Sequence, residues 1–116
     1  MKRLSLLSLL CFALFSCKDK DEPNTICGVN NPATDLAWLK AQVDDIQKSD
    51  LHKYFYISKA DYNGTVVFTI DNCCPMCNTY RPVYHCDGTE IMNPDYTLLK
   101  NSVVAWQPDD FVCLVV

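Results

Sequence analysis

Four of the eight cysteines lie within sixteen positions, in Asp71-Asn72-Cys73-Cys74-Pro75-Met76-Cys77 and Tyr84-His85-Cys86-Asp87-Gly88. Thiols this dense restrict the chain path more than any other feature. They end as disulfides, metal ligands or a redox centre, and each outcome needs a different fold around it. Cys73 and Cys74 continue an apolar strand, and strand neighbours point to opposite faces, so they are expected to have different partners. Pro75 then stops the ladder.

The compartment follows from the other end of the chain. Met1-Lys2-Arg3 is a short basic segment, and Leu4 to Phe15 is an apolar run of twelve residues. A bilayer-spanning helix needs about twenty, so this run reads as a signal peptide. Leu14-Phe15-Ser16-Cys17 resembles the lipobox of bacterial lipoproteins. The resemblance implies cleavage after residue 16, a diacylglycerol thioether on Cys17 and acylation of its amine. Cys17-Lys18-Asp19-Lys20-Asp21-Glu22 is charged, without apolar residues, and reads as a solvated tether over residues 17–25. It also resembles the acidic export signal of Bacteroidota surface lipoproteins. The implied location is the outer membrane, lipid-anchored, on its periplasmic face or at the cell surface.

Setting aside Cys11 in the signal and Cys17 leaves Cys27, Cys73, Cys74, Cys77, Cys86 and Cys113. Six cysteines in an exported domain of about 100 residues read as a disulfide framework, with fifteen pairings open. A bridge from Cys27 to the central cluster would tie the start of the helix to the sheet. Cys74-Pro75-Met76-Cys77 is also a C-x-x-C after a strand, as in thioredoxin-like proteins, so an envelope thiol–disulfide oxidoreductase using Cys74 and Cys77 is the alternative function. Against it, Asn78 to Pro82 carries no helical period, and a helix N-terminus is what stabilises the reactive thiolate. Zinc on Cys74, Cys77, His85 and Cys86 is disfavoured because His85 and Cys86 point apart on a strand. No metal and no cofactor are expected.

The remaining elements follow from periodicity. Asn31-Pro32 predicts an N-cap followed by proline at the first helical position. Leu36, Leu39, Val43 and Ile46 then form one stripe of an amphipathic helix over Pro32–Lys48, with Trp38 flanking it. Tyr54–Ile57 and Val66–Ile70 flank Asn63-Gly64, the strongest short hairpin signal. A two-residue turn sets Tyr62 opposite Thr65, Ala60 opposite Val67, Ile57 opposite Ile70 and Tyr54 opposite Cys73. Phe55, Ile57, Val66, Phe68 and Ile70 should face the helix, and Tyr54, Tyr56 and Tyr62 the other side, as a candidate binding face. Asp87-Gly88 predicts a second type I′ hairpin. Val103–Trp106 and Phe111–Val116 are the last apolar runs, the final one expected as a buried central strand or contact surface.

The fold expected is α+β: one N-terminal amphipathic helix on an antiparallel sheet of four to six strands, disulfide-stapled, as one domain over residues 26–116. Hydrophobic content of 49% in 116 residues suits one modest core. Net charge is −4 and falls to −6 once Lys2 and Arg3 leave with residues 1–16, which argues against nucleic acid. No G-x-S-x-G, H-E-x-x-H or glycine-rich phosphate loop is present, so no catalytic residue is expected. Cys27-Gly28-Val29-Asn30-Asn31-Pro32, Trp38-Leu39-Lys40 and Cys86-Asp87-Gly88 resemble a pattern of small exported Bacteroidota lipoproteins. That resemblance spans most of the mature chain and implies a fold, not an activity. The expected function is a small non-catalytic binding or structural domain, anchored through Cys17, with a protein or glycan ligand.

Overall fold

The computed structural model describes residues 25–77 and 80–114. The expected signal segment, the expected lipidation site Cys17 and the expected tether up to residue 24 lie outside the described residues, as do Val115 and Val116. Ile26 and Val29 bridge across a tight turn at Cys27-Gly28. Pro32 then opens a single helical turn, α1 (Pro32–Asp35), and the longer helix α2 covers Ala37–Gln47. The continuous helix expected over Pro32–Lys48 is broken at Leu36, whose backbone is extended (φ −93°, ψ 114°). Leu36 thereby ends one helix and starts the next, its carbonyl accepting from the Leu39 and Lys40 amides. Asn31 makes no side-chain cap. Its amide instead donates to Asp35 Oδ2 at 3.0 Å, while Thr34 and Asp35 donate to its carbonyl.

Four antiparallel strands follow: β1 (Phe55–Tyr62), β2 (Thr65–Asn72), β3 (Val83–His85) and β4 (Leu99–Trp106), in the spatial order β3-β2-β1-β4. Asn63 (φ 50°) and Gly64 (φ 88°) both take positive φ, as a type I′ turn requires. The register is the expected one, with Tyr62 opposite Thr65, Ala60 opposite Val67 and Ile57 opposite Ile70. Beyond the paired strands, Cys73 N–H donates to the Tyr54 carbonyl at 3.0 Å.

The inner face carries Ile57 and Phe68, fully buried against Leu39, Val43 and Ala33, with Leu36, Ile46 and Ile70 around them. Each such side chain, once buried, stabilises the fold by about 1.5–3 kcal/mol. The opposite side of α2, with Lys40, Ala41, Asp44 and Asp45, is exposed. A smaller cluster of Ala60, Val67 and Val83 lies on the outer face, joined by Tyr62, Ile91 and Leu99. Its cover follows from topology. β3 and β4 occupy opposite edges, so residues 86–98 must cross the sheet between them. The crossing is pinned by Ile91 N–H to the Val83 carbonyl (2.8 Å), Asp95 N–H to Tyr62 Oη (3.1 Å) and Tyr96 O–H to the Arg81 carbonyl (2.7 Å).

Two expectations need correction. Only Gly88 (φ 89°) takes positive φ in the second turn, where Gly88 N–H donates to the His85 carbonyl and His85 N–H to the Thr89 carbonyl. That is a type I turn closed by a bulge, and its second arm shrinks to a single bridge from Glu90 to Tyr84. The final apolar run is not a central strand: β1 already has β2 on one edge and β4 on the other, and the described part of the run forms no ladder. Phe111 and Cys113 turn inward while Val112 and Leu114 are 54% and 93% exposed.

Candidate functional site

All six domain cysteines are bridged: Cys27–Cys86, Cys73–Cys113 and Cys74–Cys77. Adjacent Cys73 and Cys74 do have different partners. Cys86 is the cluster member that ties the start of the helical region to the sheet. The three bonds differ in what they constrain. Sequence separations of 59 and 40 correspond, by loop entropy, to about 4 kcal/mol each, against about 2 kcal/mol for a separation of 3. Zinc on Cys74, Cys77, His85 and Cys86 does not fit, since these sulfurs belong to two separate disulfides. Among the described residues no cluster of metal-ligating side chains occurs.

The residues Cys27, Trp38, Cys86 and Gly88, which carried the resemblance, meet in one place. The Trp38 indole N–H donates to the Cys86 carbonyl at 2.7 Å, and its ring packs on Phe68 and Tyr84 at 5.9 and 5.3 Å. A Cβ on Gly88 would lie 2.8 Å from Trp38 Cγ, so only glycine fits below the ring. This cluster is structural; it locks the α2 side of the sheet to the turn after β3.

Tyr56 and Tyr62 share the outer face of β1 but not a surface, and Tyr54 lies in the short turn His52–Tyr54 before the strand. Tyr62 lies beneath the crossing, and Lys53 Nζ sits 5.6 Å from the Tyr54 ring centroid. Tyr56 lies where the crossing does not reach. There, at the end of the sheet away from Asn63-Gly64, the outer face opens into a cleft with two lobes of about 510 and 420 Å³. Both lobes share Tyr56, Asp71 and Arg81. The first adds Asn72, Cys73, Cys74 and Tyr80, and the second Ser58, Ser102, Val103 and Val104. Pockets of 300–1,000 Å³ suit small ligands.

Each of these groups has a traceable position. Asp71 pairs with Tyr56 across the hairpin and so points outward. It is 6% exposed, held by an ion pair from Arg81 Nε to Oδ1 and by the Thr69 hydroxyl donating to Oδ2 at 3.0 Å. Arg81 arrives from the connection between β2 and β3, four residues after the short segment that Cys74–Cys77 closes. Tyr56 is buttressed by Phe111, ring centroids 5.4 Å apart, and burial, then the Asp71 charge, raises its phenol above the usual tyrosine range, with Arg81 opposing. Tyr80 donates to Glu90, a hydrogen bond that pushes its phenol up to about 12. No family model, no curated protein and no solved structure matches this chain.

Sequence reasoning missed Ser58, Asp71, Tyr80 and Arg81. The hairpin register alone places Asp71 opposite Tyr56 and Ser58 two residues along the same face, so half the cleft floor was within its reach. Tyr80 and Arg81 carried no such signal. His52 sits in a short turn where Nε2 meets Asp110 Oδ2 at 2.8 Å and Nδ1 meets the Ser49 carbonyl at 3.0 Å.

Proposed function

We propose that the chain is an exported lipoprotein anchored in the outer membrane through Cys17, whose domain is a non-catalytic binding module with its ligand in the Tyr56–Asp71–Arg81 cleft. The observation that carries the reading is the open end of the outer sheet face: a concave, polar floor on which the half-buried Asp71–Arg81 ion pair lies beside a buttressed tyrosine. The lining favours binding over catalysis. Asp71, the carboxylate in both lobes, is engaged by Arg81 and Thr69, which leaves it poorly placed to serve as a base. Three disulfides agree with an oxidising compartment, and the signal segment with export.

The test has two arms. Full-length chain expressed in a bacterial host should incorporate labelled palmitate and partition with the outer membrane, and Cys17→Ser should abolish both. Detergent-solubilised full-length chain should bind a member of a glycan and peptide panel through the cleft, with Tyr56→Ser reducing capture. Unlabelled wild type sinks the anchor; capture indifferent to Tyr56→Ser sinks the cleft.

A second reading, thiol–disulfide exchange at Cys74 and Cys77, is favoured by one feature: Cys74 lines the cleft, and its bond closes the shortest loop. Attack by a thiolate of a dithiol substrate would form a mixed disulfide and release the other cysteine as thiolate. The second substrate thiol would then displace the first cysteine, leaving an oxidised substrate and a reduced Cys74/Cys77 pair. This reading requires selective reduction of Cys74–Cys77 by stoichiometric dithiothreitol, read by alkylation and mass. A bond that resists mild reductant rules it out.

A further inference from the structure

Several groups in the cleft have hydrogen-bonding capacity that the protein does not use. Ser58 is 4% exposed and lines the second lobe, yet its hydroxyl meets no hydrogen-bond partner among the described residues. Buried polar groups are nearly always paired, and leaving one unpaired costs about 1–3 kcal/mol. The Tyr56 hydroxyl and the Ser102 hydroxyl likewise have no partner among the described residues. Arg81 commits Nε to Asp71, while its two terminal nitrogens contact no acceptor among the described residues. Hydroxyls donate and accept, the terminal guanidinium nitrogens donate, and Asp71 only accepts.

The ligand that answers such a set must itself both donate and accept, several times, over a short distance. Its charge is restricted too. Asp71 neutralises Arg81, Glu90 sits beside the rim on Tyr80, and the chain carries −4 overall, so no uncompensated positive charge draws an anion. The aromatic surface is Tyr56, held on edge by Phe111, with Tyr80 at the rim. An apolar face is therefore needed beside the hydroxyls. Resting on the cleft reading above, we propose that the ligand is a neutral polyhydroxylated molecule, one or two sugar units of a glycan. Its hydroxyls pair with Ser58, Tyr56 and the free Arg81 nitrogens, and its C–H face lies on Tyr56. The two lobes that meet at Asp71 and Arg81 accommodate adjacent units.

The experiment uses detergent-solubilised full-length chain and an immobilised panel. The panel holds neutral gluco-, galacto- and manno-oligosaccharides, acidic uronate and sulfated oligosaccharides, and peptides, with free hexoses as competitors. Neutral oligosaccharides should be captured, and free hexoses should compete more weakly because they fill one lobe. Ser58→Ala should weaken capture about fivefold, one neutral hydrogen bond, without lowering the melting temperature, because the Ser58 hydroxyl bonds to no other group among the described residues. Arg81→Lys keeps a cation beside Asp71 but loses the free fork and should weaken capture about tenfold or more. Capture of only acidic glycans or only peptides overturns the ligand class and leaves the binding reading standing. Neutral glycan capture unchanged by both substitutions overturns the site. Capture of nothing by the wild-type chain overturns both readings.

Discussion

Trp38 lies directly over Gly88: a methyl group at position 88 would meet Trp38 Cγ at 2.8 Å and both neighbouring ring carbons within 3.2 Å. The contact joins residues fifty positions apart, and Gly88 also holds φ +89° to close the turn after β3. Gly88→Ala should therefore destabilise by about 2–4 kcal/mol, combining an overpacked contact with a strained backbone. Gly64→Ala, where φ is +88° but nothing lies within 4 Å, should cost only about 1–2 kcal/mol. Urea unfolding of the two variants measures the difference, and equal losses would remove the ring contact as the cause.

The disulfides should rank by the loop each closes. Cys27→Ala/Cys86→Ala and Cys73→Ala/Cys113→Ala should each lose about 4 kcal/mol, and Cys74→Ala/Cys77→Ala about 2 kcal/mol. Denaturation midpoints of the three double variants give the order directly. A Cys74/Cys77 loss as large as the others would mean that this bond also holds the cleft wall, through the loop that carries Arg81.

Asp71 is buried and its carboxylate is ion-paired with Arg81. Arg81→Ala should cost about 2–4 kcal/mol, below a fully buried pair because the Arg81 side chain is 37% exposed. Asp71→Asn combined with Arg81→Gln should recover much of that loss, since no unpaired charge remains. A double-mutant cycle separates the coupling from the single effects, and additive losses would show that the pair is not coupled.

His52 and Asp110 fasten the last described segment to the start of β1, and their titrations give that contact a pH signature. The bond to the Ser49 carbonyl, then the one to Asp110, raises His52 above its ordinary 6.5. A raised folded value means the stabilisation is complete below 6.5 and is lost as pH climbs through the folded value. Asp110 is lowered, chiefly by His52, so its share is present above 3.8 and is lost as pH falls through the depressed value. Wild type should therefore lose stability relative to His52→Gln between pH 6 and pH 8. Parallel melting curves across that range would show that the pair contributes nothing.

The elements that were legible are those decided by neighbours in sequence. Asn63-Gly64 determines a turn, a two-residue turn determines a register, and the register assigns Ile57 and Phe68 to one face and Tyr56 and Asp71 to the other. The stripe of Leu36, Leu39, Val43 and Ile46 does pack on that sheet, but the pattern could not show that Leu36 breaks the helix, since an extended residue within the stripe still points its side chain at the core. The run from Phe111 to Val116 misled because an unbroken apolar stretch has no period, and burial had to be inferred from composition alone. Whether such a segment becomes a strand depends on a free edge, and β2 and β4 had taken both edges of β1.

By itself, then, the sequence determined the hairpin and its register, the parity of each strand residue, and six cysteines destined for bridges once the first two were set aside. Those are short-range outcomes, governed by φ preference, the two-residue pleat and the density of cysteines in the chain. Only the tertiary structure decided which cysteines pair and where the cleft lies. β3 and β4 end on opposite edges, so residues 86–98 must cross one face, and they cover Tyr62 while leaving Tyr56 open. Arg81 reaches Asp71 because the connection from β2 to β3 folds back over the outer face, a meeting that no local preference encodes.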